Sequence, residues 1–431
     1  MTPIATATVI LIATFLILMA LRVEIAYSML IATLATFLYL DVPIVAVFQG
    51  MVDGTNSFTF LCVPFFVLMG ELMAAGNVTD RIVEAAEALV GWCRGGLSMV
   101  NCVASLLFGG VSGSAIADTA SVGPIETDLM QKGGYDKGFS WSMTMASSIT
   151  GMLIPPSHNM ILYAVTAGSV SIGALLIAGI VPGVLMCLFL CVYSYFYAVK
   201  NDIPITGKFS IKKLWHASVN AFLPMLTFVI VVVGITGGVF TPTEAGCIAC
   251  VYALILVVFI LRTLEPKKVV ELMEKTVKTL ASIMILIAAS NSFGWIIAYL
   301  GVPKLVTGAL LSLTSNKFVL LLLTNVLLLF LGMFMSLGSI ILIVTPILLP
   351  ALMQLGVDPI HFGVIMMINC GVGLLTPPVG GVLYVASGVS GLSIGNLTKR
   401  MMPLYCVLFM LLMLVTYVPS FSLWLPSVMM K

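Results

Sequence analysis

Ten stretches of this 431-residue chain are apolar, almost free of charge and long enough to cross a bilayer. They lie near residues 4–21, 25–40, 58–75, 139–167, 172–199, 217–239, 246–262, 279–299, 361–386 and 403–420. A helix needs about 20 residues to cross a hydrocarbon core roughly 30 Å thick. No soluble fold of this length hides so many such runs, because surface-to-volume scaling leaves most residues partly exposed. Composition agrees, with 61% hydrophobic and only 8% charged residues, where soluble domains carry about 25% charged. Water-soluble enzymes, nucleic-acid binders, disulfide scaffolds and disordered chains are thereby excluded. The formal net charge of +2 gives no pull toward an acidic polymer. Continuous rather than alternating apolarity argues against a β-barrel. The expected fold class is an all-α polytopic membrane protein. Residues 4–21 lack a basic leader and read as a first span rather than a cleaved signal peptide. Cys187 with Cys191, and Cys247 with Cys250, sit in apolar helices without a neighbouring His and read as small core residues rather than metal pairs.

Two further apolar segments, 98–128 and 318–350, are interrupted at their centres by Gly and Ser. Each arm is expected to hold about a dozen residues, or roughly 18 Å of helix, too short to span. A re-entrant hairpin lining a protein-walled cavity is the expected reading. With the N-terminus outside and each hairpin returning to its own side, sixteen of the 19 Lys and Arg face the inside. Lys304, Lys317 and Lys431 stay outside, and Arg22 is among those inside. The positive-inside rule selects this orientation. Segments 79–94 and 264–278 mix acid and base on amphipathic patterns and are expected as interfacial arms. The chain then divides into a scaffold part (1–97), a first transport unit (98–199), a second scaffold part (200–317), a second transport unit (318–420) and a tail (421–431).

The two units repeat one another. Pro155-Pro156 returns as Pro377-Pro378, 222 residues later. The same offset, without a gap, pairs Gly110 with Gly332, Ser114 with Ser336, Pro124 with Pro346, Asp136 with Asp358, Gly151 with Gly373 and Ser171-Ile172-Gly173 with Ser393-Ile394-Gly395. Five expected crossings separate the hairpins, so the second unit enters from the opposite face. An inverted repeat is the mark of secondary transporters that bind cargo at the midplane.

Proline lacks an N–H, so Pro155 and Pro156 deprive the carbonyls of Gly151 and Met152 of their helical donors. Pro377 and Pro378 do the same to Gly373 and Leu374. Carbonyl and hydroxyl oxygens suit a hard monovalent cation such as Na⁺. One expected Na⁺ site takes Gly110, Ser112, Gly113 and Ser114 from the first tip and Gly151, Met152, Pro155 and Pro156 from the break. The other takes Gly332, Ser336, Gly338 and Ser339 with Gly373, Leu374, Thr376 and Pro377. Half-helices starting near Ser157 and Val379 would turn positive N-terminal ends toward an anionic cargo. Ser114, Asp118, Ser157, His158 and Asn159 are the candidate contacts. Asp53, Glu71, Asp118 and Glu244 are the clearest intramembrane carboxylates. The repeat carries Ile340 where the first unit has Asp118, which favours Na⁺ over H⁺ coupling. Glu244, in Thr241-Pro242-Thr243-Glu244, reads as the acid of a capping box.

The motifs Phe108-Gly-Gly-Val-Ser-Gly-Ser-Ala-Ile-Ala-Asp118, Ile154-Pro-Pro-Ser157, Ala178-Gly-Ile-Val-Pro-Gly183, Thr241-Pro-Thr-Glu-Ala245 and Gly373-Leu-Leu-Thr-Pro-Pro378 resemble the large membrane (permease) subunit of TRAP transporters, the DctM family. The resemblance runs along nearly the whole chain. It implies Na⁺-driven import of an organic acid such as a C4-dicarboxylate or sialic acid across the bacterial inner membrane. It also implies an elevator motion and two partners: a periplasmic substrate-binding protein and a small four-helix membrane subunit, expected as a separate polypeptide. Family ion-site and substrate-site features carry over to Ser112, Ser114, Asp118, Gly151, Pro155, Pro156 and Ser157, and to Gly332, Ser336, Gly373, Thr376 and Pro377. His158-Asn159 departs from the family pattern, where an apolar residue is commoner, and leaves the acid open.

Other classes fit less well. No G-x-x-x-x-G-K-[ST] occurs, which argues against a nucleotide-driven pump. His158, His216 and His361 show no metal-ligand spacing with carboxylates, so no catalytic set is expected and no organic cofactor. An H⁺-coupled carboxylate transporter of the same fold is the alternative. An ion channel is a further one, since hairpins with freed carbonyls also build filters.

Overall fold

The computed structural model describes residues 3–430 except 22, 57, 206, 314 and 315, with the backbone alone for 58, 59 and 310–313. Arg22 and Lys431, two of the charges used to orient the chain, lie outside the described residues. Every regular element among the described residues is helical. Seven helices are long and apolar enough to cross a membrane: Pro3–Ala20, Ile172–Lys200, Ile211–Thr236, Pro242–Ile260, Pro266–Tyr299, Leu337–Gln354 and Ile394–Tyr417. Cys62–Ala75 and Val78–Val90 form an eighth candidate bent by 75°. Asn77 sits in the left-handed region (φ 53°) at that bend, a conformation Asn tolerates better than most residues.

Helices dominate because lipid offers the backbone no partners. The outer surface bears this out. On Ile211–Thr236, Trp215, Val219, Phe222, Val229 and Val233 are exposed, while Ala217, Ala221, Thr227 and Val231 on the other side are buried. A continuous apolar outer stripe of this kind is a liability in water and an asset in a bilayer.

The repeated register appears as repeated local chemistry. A first hairpin joins Gly96–Ser112 to the short helices Ala115–Ser121 and Gly123–Lys132. A second joins Lys317–Gly332 to Leu337–Gln354. Each precedes a broken helix: Lys137–Ser148 and Thr150–Leu153 before His158–Ala167, and Pro359–Leu374 before Gly381–Ser390. The residues matched at the 222-residue offset cap the same starts. Ser114 Oγ accepts the Ala117 N–H at 3.3 Å, and Ser336 Oγ accepts that of Ser339 at 3.4 Å. Asp136 accepts from Phe139 N–H at 3.1 Å, and Asp358 from Ile360 N–H at 2.8 Å. Ser171 and Ser393 accept the N–H three residues on, both at 3.4 Å. Capped starts satisfy donors that have no intrahelical partner.

Each hairpin is also tied to its own broken helix by a buried polar bond. Ser147 Oγ donates to Asn101 Oδ1 at 2.7 Å. In the second half Asn369 Nδ2 donates to Asn325 Oδ1 at 2.8 Å, and Asn325 Nδ2 donates to Thr416 Oγ1 at 3.0 Å. Glycines close the remaining distance. Gly109 packs backbone to backbone on Gly151, and Gly332 on Gly373.

Several expectations need correction. The hairpin arms are not dozen-residue pieces: Gly96–Ser112 has 17 residues, Lys317–Gly332 has 16 and Leu337–Gln354 has 18. Their helices run past the apolar core into polar flanks such as Lys317 and Gln354. The separate arm over 264–278 and span over 279–299 are one helix, Pro266–Tyr299, of 34 residues. Nothing between Lys278 and Thr279 breaks it, since the change from charged to apolar is one of composition and not of backbone preference. Val45–Thr55 and Val302–Leu313 are helices the apolar runs did not mark, and Ser420–Met429 makes most of the tail helical. Pro124 falls in the first turn of Gly123–Lys132, where a missing N–H is harmless, whereas its match Pro346 is inside Leu337–Gln354.

Candidate functional site

The first tip turns at Gly113 (φ 63°). It lies directly against the Pro156 carbonyl, with no room for a side chain. Tip and break are therefore one contact surface. Gly110 packs on Phe228 and Ile154, and Gly151 on Gly109. Ser112 Oγ faces the Ser114 N–H at 3.4 Å. Pro155, Pro156 and Ser157 are buried. Ser157 begins the half-helix His158–Ala167 without using its hydroxyl as a cap, and that buried Oγ has no partner. An orphaned buried hydroxyl beside a proline carbonyl and carbonyls that prolines cannot serve is the donor set a small hard cation takes. Gly110, Ser112, Gly113, Ser114, Gly151, Met152, Pro155 and Pro156 thus gather at one tip and one break.

The second site is built differently. Val379 N–H donates to the Met333 carbonyl at 3.1 Å, so tip and break are joined by a backbone bond. Gly332 and Gly373 touch through their backbones. Ser336 Oγ and Ser339 Oγ lie 2.8 Å apart. Thr376 Oγ1 donates to the Val372 carbonyl at 2.9 Å. The Gly373 carbonyl is not left bare as the prolines alone suggest. Thr376 N–H donates to it at 2.9 Å by closing a tighter turn, leaving only its second lone pair. Leu374 is buried, and Pro377 is half-buried. Both Pro155-Pro156 and Pro377-Pro378 bonds are cis.

The two tips meet at one cavity of about 370 Å³. Ser114, Ala115 and Ile116 line it from the first tip, Met152, His158 and Asn159 from the first break, and Ser336, Leu337 and Gly338 from the second tip. Leu374 reaches it from the second break. The helices His158–Ala167 and Leu337–Gln354 begin there, so their free N–H groups and positive ends face the space. The opposite wall is Val63, Thr279, Ile283 and Leu286, from helices Cys62–Ala75 and Pro266–Tyr299. All the polar side chains but Thr279 therefore belong to the hairpins and the first break.

Asp118 does not join this group. It is fully buried, lines neither this cavity nor the one beside it, and has no hydrogen-bond partner on either oxygen. Glu126, eight residues on and 1% exposed, is equally unpartnered. Sequence reading missed Glu126, and the only signal was a carboxylate in a segment whose other half is apolar. It also missed the Asn101 and Asn325 bonds, which an Asn in the apolar first arm of each hairpin would have flagged. Glu244 does form a capping box: its carboxylate accepts the Thr241 N–H at 2.7 Å, and Thr241 Oγ1 accepts the Glu244 N–H at 3.3 Å.

Residues 12–421 match the family described as "Tripartite ATP-independent periplasmic transporter, DctM component". The chain belongs to the DctM family. Among DctM-family relatives, it is 42% identical over 379 residues to the "Sialic acid TRAP transporter large permease protein SiaM" of Vibrio cholerae, covering 88% of each chain. It is 37% identical to the uncharacterized protein YgiK of Salmonella typhimurium, covering 97% of each. It is 36% identical to the "C4-dicarboxylate TRAP transporter large permease protein DctM" of Pseudomonas aeruginosa, covering 87% of this chain and 88% of that one. The fold is similar to that of the Alcanivorax borkumensis YdaH transporter, with a TM-score of 0.62 at 18% identity over 91% of this chain and 90% of that one. This DctM-family chain is a multi-pass membrane protein of a transport system, and its named relatives are permease subunits and not enzymes.

Proposed function

We propose that this chain is the cargo-carrying large permease of a Na⁺-coupled secondary transporter that imports an organic acid. The observation that carries the reading is the cavity of about 370 Å³ where both hairpin tips and the first Pro-Pro break converge. In this reading the two units are inverted repeats. Each holds one Na⁺ between its tip and its break, and a carboxylate sits between the tips against the ends of His158–Ala167 and Leu337–Gln354. Hairpins and broken helices then slide as one elevator block past the apolar wall of Val63, Ile283 and Leu286. The relatives' names support an acid of the C4-dicarboxylate or sialic-acid kind. A periplasmic binding protein delivers it, and a small membrane subunit braces the flanking helices. The chain lies in the bacterial inner membrane with its N-terminus periplasmic.

Liposomes holding this chain, its small subunit and its binding protein test the proposal. Saturable uptake of a labelled acid that requires an inward Na⁺ gradient supports it. A current far above carrier turnover points instead to a channel. A second reading, H⁺ coupling, is favoured by the unpartnered carboxylates of Asp118 and Glu126, since a buried ionised acid without a partner is costly. Uptake driven by a pH gradient in the absence of Na⁺ would select it.

A further inference from the structure

A second cavity of about 300 Å³ adjoins the central one and shares Ser114, Ile116, His158, Thr279 and Ile283 with it. The part it does not share is lined by Ser112, Ala117, Ala120 and Ser121 from the first hairpin, and by Val67, Gly70, Glu71 and Ala74 of Cys62–Ala75 with Lys275 of Pro266–Tyr299. Lys275 Nζ and Glu71 Oε2 form an ion pair at 2.8 Å. The pair bridges Cys62–Ala75 and Pro266–Tyr299, the same two helices that supply the apolar wall of the central cavity. Among the described residues, no other Lys or Arg lines either cavity. The Lys275 side chain is 63% exposed and that of Glu71 28%. Such a solvated pair is weak, typically below about 1 kcal/mol, and so can be opened by a competing carboxylate.

We propose that Lys275 is the cation that receives the carboxylate of the cargo as it passes between the central cavity and the mouth of this second one, displacing Glu71. This rests on the organic-acid reading above. An acid leaving the helix ends at His158 and Leu337 loses its partial positive charges. Lys275, at the mouth of the adjoining cavity, is the next full positive charge on its way and compensates that loss. Glu71 holds the ammonium across the mouth when no cargo is present and recaptures it afterwards. The displaced Glu71 carboxylate stays on the wall and must turn to water, so the wall carries one extra negative charge while the cargo is held, and recapture of Lys275 by Glu71 favours its departure. On the positive-inside orientation this mouth opens to the inner face, so Lys275 acts at release.

Uptake of labelled N-acetylneuraminate and labelled succinate into liposomes holding the complete transporter tests the inference. Lys275→Gln and Glu71→Gln both break the ion pair, but only the first removes the cation. Lys275→Gln is expected to lower uptake about ten-fold, Lys275→Arg to restore most of it, and Glu71→Gln to raise it by freeing Lys275. Thermal unfolding of each purified variant, with Lys275→Arg as the conservative case, separates lost passage from lost fold. Equal losses in Lys275→Gln and Glu71→Gln would reduce the pair to a structural brace and overturn the inference. So would unchanged uptake in Lys275→Gln. If the unaltered transporter takes up neither acid, while the binding protein shows no stabilisation by either, the acid reading falls and the inference with it.

Discussion

Gly373 faces Gly332 so closely that a Cβ on Gly373 would lie 2.6 Å from the Gly332 Cα. The hairpin and the broken helix of the second half therefore touch main chain to main chain at the level of the break. Gly373→Ala must push them apart. It is expected to destabilise the purified protein by about 1–3 kcal/mol, read as a lowered Tm in detergent. Gly388→Ala is the control: nothing lies within 4 Å of its Cβ, and its effect should stay within about 1 kcal/mol, in the stabilising direction.

The paired N-caps predict paired effects. Asp136→Ala and Asp358→Ala each free a helix start in the matched position and should each cost about 1 kcal/mol. Asp136 also meets Arg400 at 3.3 Å, an exposed pair that adds little. The two Tm shifts should thus be similar, and a much larger loss for Asp136→Ala would show that the pair with Arg400 outweighs the cap.

Asn369→Leu removes the donor that serves Asn325 Oδ1 and leaves a buried acceptor bare. A loss of about 1–3 kcal/mol is expected. Adding Asn325→Leu should cost less than the sum of the single changes, because the second substitution removes the group the first one orphaned. Chemical unfolding of the four proteins measures the coupling.

Pro155→Ala with Pro156→Ala supplies N–H groups to the Gly151 and Met152 carbonyls. In transport assays the Na⁺ concentration for half-maximal uptake should rise at least about ten-fold if a charge-assisted contact to the ion is lost. An unchanged Na⁺ dependence would remove these carbonyls from the proposed first ion site.

Asp118→Asn replaces an unpartnered buried carboxylate by a neutral group of the same shape. The Tm should rise or hold, because an amide is cheaper to bury than an acid. Uptake should fall if the acid takes part in coupling, and full uptake would leave Asp118 a packing residue.

What the sequence made legible was whatever the backbone imposes. Proline removes donors wherever it sits, so both breaks were readable from Pro155-Pro156 and Pro377-Pro378. The one-register repeat was readable because Ser114, Asp136 and Ser171 recur as Ser336, Asp358 and Ser393, and each proves to be a cap. Apolar length was a poorer guide to helix ends. It shortened the hairpin arms and split Pro266–Tyr299, since a helix continues through charge when no residue opposes it. Contacts between distant segments were illegible. Nothing in sequence spacing puts Lys275 on Glu71, or leaves Asp118 out of the cavity that His158 lines.

The central chamber is sticky on one side only. A guest hydrogen-bonded to Ser114, Asn159, His158 or Ser336 meets, across the gap, oily side chains and a single hydroxyl, Thr279. In the proposed elevator motion, slippage along that greasy partition would break almost no polar bond, so friction there would be low. Under that proposal, remodelling the four polar residues would retune what the chamber holds without altering how easily it glides.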